Sequence, residues 1–393
     1  MALSWLVFKL TGSSTHLGAV MFCSQIPVFL LVPLGGLIAD RYPKRTVLMF
    51  TQCSYMILAG IIATLTLTEV VAIWHIYAIS VLVGMTTAVD MPTRQAFIVH
   101  MVEGKEDLAN AIVLNSTMFN GARLIGPSVA GLLVAWMGEG YCFLSNAVSY
   151  IAVLTSLANL TVDGFSPSEV KEKPIESLKG GFRFAIKNQP VSSLMLAVAT
   201  MSFNGSAHTV LMPVFASDVL HGDSKTMGIL LAVEGIGAIV GALVLACKRT
   251  LDGLDKVIAV ASVSCGVLLM LFSMTRNIWL ASCCLIPLGV TIVGQLSVTN
   301  TLLQYLTPDN LRGRVMSLHA MMFMGLNPIG AFVFGLIADH IGTPYTLAIS
   351  GVLLLVGSLR FVFTLREFRI NSQRLGRETE RQNALLESYS CQP

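Results

Sequence analysis

Residues 36–45 read Gly36-Leu37-Ile38-Ala39-Asp40-Arg41-Tyr42-Pro43-Lys44-Arg45. Four small or apolar residues are followed by one acid and three bases. Upstream, Leu17–Ala39 is an apolar stretch; downstream, Thr46–Leu67 is another. Each has the roughly 20 residues that a helix needs to cross about 30 Å of hydrocarbon. The charged loop between them is too short to be anything but a turn, and Pro43 suits one because its fixed φ stops a helix. The stretch therefore reads as a transmembrane hairpin whose turn lies on the basic side.

The pattern recurs along the chain. After these two spans come Val70–Thr87, Leu108–Trp136, Cys142–Leu160, Val191–Phe215, Thr226–Cys247, Val257–Met274, Ile278–Val298, Val315–Ala338 and Thr346–Leu365. A half-length stub, Ala2–Leu10, precedes them. Of the 393 residues, 54% are hydrophobic and 12% charged. Soluble domains carry about 25% charged residues. Mean hydropathy is +0.73. Such a composition excludes a soluble enzyme, a nucleic-acid binder and a disordered protein; the net charge of +3 is too small for a polyanion-binding surface. The eight cysteines form no CxxC and sit mostly in apolar runs, where they act as small apolar side chains. No P-loop, HExxH or GxSxG occurs, so no cofactor, metal or ATP site is read, and uphill transport would need an ion gradient. Gly235-Ile236-Gly237-Ala238-Ile239-Val240-Gly241 lies inside a span and has the wrong spacing for a dinucleotide loop; helix packing accounts for it.

Alternate loops differ sharply in charge. One set, with the C-terminal flank, holds twenty-one lysines and arginines, among them Arg41, Lys44, Arg45, Arg94, Lys179, Arg183, Arg312 and Arg314; the other holds only Lys225 and Arg276. By the positive-inside rule the basic set is cytoplasmic, and so is the C-terminus. The first full span then begins outside, and the stub before it runs outward. Parity predicts that the front of a first helix is missing from this sequence, so that eleven full spans plus a stub stand for twelve. The polar stretch 162–190 divides the spans into an N-terminal half, 1–161, and a C-terminal half, 191–365, with a tail at 366–393. Within that linker Ile175, Leu178, Phe182, Ala185 and Ile186 recur at helical spacing opposite Glu176, Lys179, Arg183 and Lys187. An amphipathic helix on the membrane interface and a solvated linker helix fit equally. Gly84 and Gly289, Gly126 and Gly330, and Gly131 and Gly335 lie at nearly constant separation, a weak repeat of one half in the other.

The 36–45 stretch resembles the loop signature of the major facilitator superfamily, G-x-L-x-D-R-x-G-R-R, with Ile38 and Pro43 as its departures. The resemblance implies two pseudo-symmetric six-helix halves. It also implies a cytoplasmic gate in which Asp40 docks at the start of the eleventh span, near Arg314 to Ser317, supported by Gly36, Arg41, Lys44 and Arg45. The plainer alternative is that these bases only set topology. Asp90 and Arg94, four apart on one helical face, read as an ion pair joining the Asp40–Arg41 loop. Gly121-Ala122-Arg123-Leu124-Ile125-Gly126-Pro127-Ser128-Val129-Ala130-Gly131 resembles the superfamily's antiporter signature. Gly126, Ala130 and Gly131 would let another helix approach, and Pro127 permits a kink. Asp90-Met91-Pro92-Thr93-Arg94-Gln95-Ala96-Phe97, Glu106 to Ala111 and Leu3 to Ser13 are similar to the enterobactin-exporter and macrolide-efflux-like branch, the transmembrane secretion effectors. The arginine motif usual in the superfamily's fourth span is absent.

An ionisable group at mid-bilayer costs at least ~2.5–3.5 kcal/mol on insertion scales, so each needs a reason. Arg123 lies roughly 22 Å along the fifth span and Glu234 roughly 12 Å into the eighth. Either they pair, since the resemblance brings those spans together, or each faces a water-filled cavity separately. His208 is a candidate for proton coupling, with simple hydrogen bonding as the alternative. Lys9 is expected to snorkel outward. Gln25, Asn115, Asn120, Asn204, Gln295, Asn300 and Asn327 are candidates to line a central cavity. The sequence thus predicts an all-α polytopic protein of the bacterial inner membrane, acting as a monomer. Its expected partners are the lipid bilayer, protons and a small amphipathic substrate, either a siderophore or a drug or macrolide, exported by proton antiport. Nutrient uptake and a non-transporting sensor or scaffold are the rivals.

Overall fold

The computed structural model describes residues 1–100, 105–160, 174–247 and 253–390. Among these the chain forms thirteen α-helices and no strand: α1 (Ala2–Thr11), α2 (Ser14–Arg41), α3 (Lys44–Leu67), α4 (Ile73–His100), α5 (Lys105–Asn159), α6 (Pro174–Lys187), α7 (Gln189–Val214), α8 (Ser224–Ala246), α9 (Leu254–Met274), α10 (Ile278–Tyr305), α11 (Asp309–Ile341), α12 (Thr343–Phe363) and α13 (Leu365–Ser390). Only helices satisfy every backbone group of an open chain inside hydrocarbon, which is why apolar composition and helicity coincide. Ten of the helices are long and apolar enough to cross a membrane. One of them, α5, breaks at Gly138, whose φ of 84° and ψ of 170° only glycine adopts readily. The break separates limbs 105–137 and 139–159, so eleven apolar segments stand where eleven spans are read, and α1 is the stub. α7 continues into a five-residue π-helical turn, Phe215–Val219, just after Pro213.

The chain forms two compact units. The first comprises residues 1–171, 210–232 and 331–340. In it α2 lies against α4 so closely that a Cβ added to Gly35 would fall on the Ala88 carbonyl, and one added to Gly84 on that of Ser24. α3 meets the second limb of α5 through stacked Tyr55 and Tyr150 rings, 5.8 Å apart, and Leu48, Phe97 and Leu157 close the same end. Lys9 of α1 reaches Glu139, the residue after the break, at 3.2 Å; its ammonium is held by a carboxylate instead of simply snorkelling.

The second unit comprises residues 172–209, 233–330 and 341–393. Here α8 packs on α10 through Gly237 and Gly241, against the backbones of Ile286 and Val290. α9 packs on α12 through Gly266 and Gly351. Ala185 of α6 joins a buried cluster with Val191, Leu194, Leu303, Val315 and Phe368. The segment read from sequence only as a tail is α13. It is anchored by buried Phe368, by Arg369 on Asp255 at 2.5 Å, and by Thr379, whose hydroxyl donates to the Leu306 carbonyl at 3.3 Å.

The α2–α4 contact separates two adjacent glycines. Gly36 has nothing within 4 Å of an added Cβ, whereas Gly35 has the Ala88 backbone. Gly35→Ala is expected to lower the stability of the purified protein by about 1–3 kcal/mol through overpacking. Gly36→Ala should leave it unchanged or slightly raise it. Thermal unfolding in detergent reads both.

Candidate functional site

The turn quoted first is tight. α2 ends at Arg41, the Tyr42 amide donates to the Ile38 carbonyl at 3.1 Å, and α3 begins at Lys44 after Pro43. Asp40 is half-buried and Arg41 exposed. Arg45 folds back onto the end of α5, its Nε donating to the Leu157 carbonyl at 2.7 Å and its Nη2 to that of Ala158 at 2.6 Å. A cation on the last carbonyls of a helix is favourable, because those groups lack intrahelical partners. Asp90, 4% exposed, accepts from Arg94 Nη2 at 2.6 Å and from Thr51 Oγ1 and Gln52 Nε2 at 2.8 Å each. The i,i+4 pair thus ties α4 to the body of α3, one turn and more beyond the Asp40–Arg41 loop it was expected to join. Thr51 and Gln52 escaped the sequence reading; an acid buried in a span needs neutral donors as well as a cation.

Of the glycines on α5, Gly131 makes a close crossing. A Cβ there would stand 2.9 Å from Gly228 Cα and 3.0 Å from the Ser224 carbonyl. Gly228 of α8, which the sequence reading did not single out, also faces the Pro127 carbonyl. Gly121 and Gly126 have nothing within 4 Å.

Two of the intramembrane candidates meet. Glu234 Oε1 lies 3.0 Å from His208 Nε2, and His208 Nδ1 lies 2.6 Å from the Gly205 carbonyl. A carbonyl only accepts, so Nδ1 carries a hydrogen and donates it. The contact between Nε2 and Oε1 is then a hydrogen bond only if a further proton sits between them. His208 is 5% exposed. The two side chains thus face each other at hydrogen-bond distance within the bundle. The Arg123 side chain lies outside the described residues, as does that of Asn120. Sequence reasoning named His208 and Glu234 but did not pair them, because a separation of 26 positions on two helices has no periodic signature.

The remaining polar candidates scatter. Gln295 is buried, donates through Nε2 to the Ala197 carbonyl at 3.2 Å, and lines a cavity of about 480 Å³ in the second unit, with Ser262, Thr200, Ser358, Arg360 and Glu367. Gln295 Oε1 and Ser262 Oγ have no hydrogen-bond partner among the described residues. Asn204 is buried, its Nδ2 donating to the Thr200 carbonyl at 2.9 Å. Asn327 Nδ2 reaches the Ser202 carbonyl at 3.5 Å, and Asn300 accepts from Gln304 at 3.3 Å. Gln25 is half-buried and Asn115 exposed.

The family model described as transmembrane secretion effector matches residues 1–385. A staphyloferrin A transporter of Staphylococcus aureus is 28% identical over 371 residues, covering 94% of this chain and 92% of that protein. An enterobactin exporter of Escherichia coli is 27% identical over 380 residues, covering 92% and 86%. Among solved structures, the nucleoside transporter NupG superposes with a TM-score of 0.71 at 14% identity, covering 92% of this chain and 93% of that one.

The Asp90 cluster gives a direct test of its role. Asp90→Ala strands three donors and is expected to destabilise the protein by about 2–4 kcal/mol. Asp90→Asn keeps a neutral acceptor and should cost less than half as much. Thermal unfolding of both variants in detergent measures the difference.

Proposed function

Because the chain belongs to the transmembrane secretion effector family of major facilitator transporters, we propose that it exports a siderophore, or another small amphipathic molecule, by proton antiport and alternating access. It is a multi-pass membrane transporter and not an enzyme. In this reading two six-helix halves, 1–161 and 191–365, rock about a substrate cavity, and the chain works as a monomer in the bacterial inner membrane. The bias of basic loops supports a cytoplasmic C-terminus. Phe182 and Ile186 of α6 are 52% and 63% exposed while Ala185 on the same helix is buried. An exposed apolar strip beside membrane spans favours the bilayer interface over solvent for α6.

The observation that carries antiport is the His208–Glu234 pair. With a proton between them the pair is satisfied; without it, an anionic carboxylate faces a lone pair across 3.0 Å in a bundle of low dielectric. Such a site takes up a proton where it meets one aqueous phase and releases it where it meets the other. The inner-gate role of Asp40 with Arg41, Lys44 and Arg45, and the exporter role of the Gly121–Gly131 helix, belong to the same proposal. Siderophores are the favoured substrates because both relatives are named for them.

The test is accumulation of enterobactin or staphyloferrin A in energised inside-out vesicles, with and without a protonophore. Proton-driven accumulation is expected in the parent protein. It should fall about tenfold or more in Glu234→Gln and in His208→Ala, as for loss of a positioned proton carrier. Flux indifferent to the protonophore would refute antiport. Flux in the opposite direction would make the protein an uptake system, and no flux of either compound would refute the siderophore assignment.

A further inference from the structure

The pentapeptide Gly-Leu-Ile-Ala-Asp occurs twice in the chain. Gly36-Leu37-Ile38-Ala39-Asp40 closes α2, and Gly335-Leu336-Ile337-Ala338-Asp339 closes α11. The first copy ends at the basic loops. The second ends beside the charge-poor loops, at the other end of α2, and it lies with the start of α2 in the first compact unit.

Asp339 meets the start of α2. The first N–H groups of a helix lack intrahelical acceptors and carry a partial positive charge. Ser13 stands at the N-cap position with φ −120° and ψ 130°, yet its own side chain caps nothing. Its hydroxyl instead donates to Asp339 Oδ2 at 2.5 Å. The Ser14 amide donates to Asp339 Oδ1 at 2.6 Å and the Thr15 amide to Oδ2 at 3.1 Å. A carboxylate from another helix, some three hundred residues on in the chain, thus replaces the local cap. The two helices run antiparallel beneath it. A Cβ on Gly335 would stand 2.5 Å from the Ser14 carbonyl, and one on Gly18 would stand 2.5 Å from that of Ala331. Phe22 and Phe332 follow, ring centres 5.8 Å apart. Elsewhere in the same unit, the Gly131–Gly228 crossing brings α5 and α8 together.

We infer that Asp339 is a positioning residue of the transport cycle: docked on the α2 N-terminus, it holds the charge-poor end shut, and its release lets that end open. The inference rests on the alternating-access reading above. It assigns the repeated pentapeptide a second use, in which each of two antiparallel helices ends in an aspartate suited to the beginning of the other. A helix cap can also be purely local, stabilising α2 and nothing else, and the experiment separates these roles.

Hydrogen–deuterium exchange of the full chain in lipid nanodiscs reads them apart. Asp339→Ala is expected to speed exchange about tenfold over residues 14–22 and 331–340, the scale of a lost cap. It should also speed exchange at residues 224–232 of α8, which do not touch Asp339. Asp339→Asn, whose amide oxygen still accepts from a backbone N–H, should stay within about threefold of the parent. Ser13→Ala removes one of the three donors and should raise exchange about threefold at all three segments. It decides the matter if Asp339→Ala does not fold. Faster exchange confined to residues 14–22 would show a local cap and overturn the latch; so would exchange unchanged in every variant. Vesicle flux is measured on the same proteins. Parent protein that moves no siderophore while Asp339→Ala still loosens α8 would sink the substrate assignment and leave the latch standing. Normal flux with unresponsive exchange would do the reverse.

Discussion

Hydrocarbon offers no partner to a polar group, so every charge that this chain carries into the membrane must be answered by the chain itself. The described structure obeys that constraint with few pairs. Asp90 is met by Arg94, Thr51 and Gln52; Glu234 by His208; Glu139 by Lys9. In each case the acid and its base or donor come from segments that the fold, and not the sequence neighbourhood, brings together, the Asp90–Arg94 step apart. The answers also differ in kind. Asp90 is surrounded by donors that never lose their protons at physiological pH. Glu234 faces an imidazole, the one side chain whose charge changes there when unperturbed. The first arrangement fixes two helices to each other. The second, in the proposed antiport, takes up and gives back a proton.

With so few polar contacts, cohesion has to come from elsewhere. Lipid tails are as apolar as leucine, so side-chain hydrophobicity does not drive helices together within a bilayer; close packing does. This chain achieves it by omitting side chains where helices cross. Gly35 admits the Ala88 backbone, Gly237 admits Ile286, Gly131 and Gly228 admit each other. The omissions locate the crossings that matter, and they fall both within the body of each unit and at the charge-poor end, where α2 meets α11.

The apolar spans and the stub were legible because hydropathy sums over about 20 residues and tolerates error at any one. The break at Gly138 was legible as the short polar gap between Trp136 and Cys142. Pairings were not legible, because they depend on the rotation of each helix about its axis. Gly36 carries the motif, yet Gly35, one position or about 100° away, makes the contact. Gly126 and Gly131 both looked like packing glycines of α5, while only Gly131 meets another backbone. His208 and Glu234 were each visible as an oddity in a span; their meeting was not. α13 was hidden because its composition is that of a polar tail; its docked face, with Phe368, Arg369 and Thr379, is set by tertiary contacts.

A transporter needs some contacts to last and others to break, and the physical chemistry of the two aspartates distinguishes them. Asp90 is nearly inaccessible; separating it from its donors would leave a bare charge in apolar surroundings, at several kcal/mol by the usual reckoning for a buried pair. Asp339 is exposed, and its partners are a hydroxyl and two backbone amides at a helix end. Water substitutes for each of these donors, so each hydrogen bond contributes only about 0.5–1.5 kcal/mol net. The glycine crossing beneath it holds no charge to strand either. An end closed by three exchangeable hydrogen bonds and a seam of bare backbone is stable enough to be populated and weak enough to open, whereas a seam built like the Asp90 cluster would stay closed.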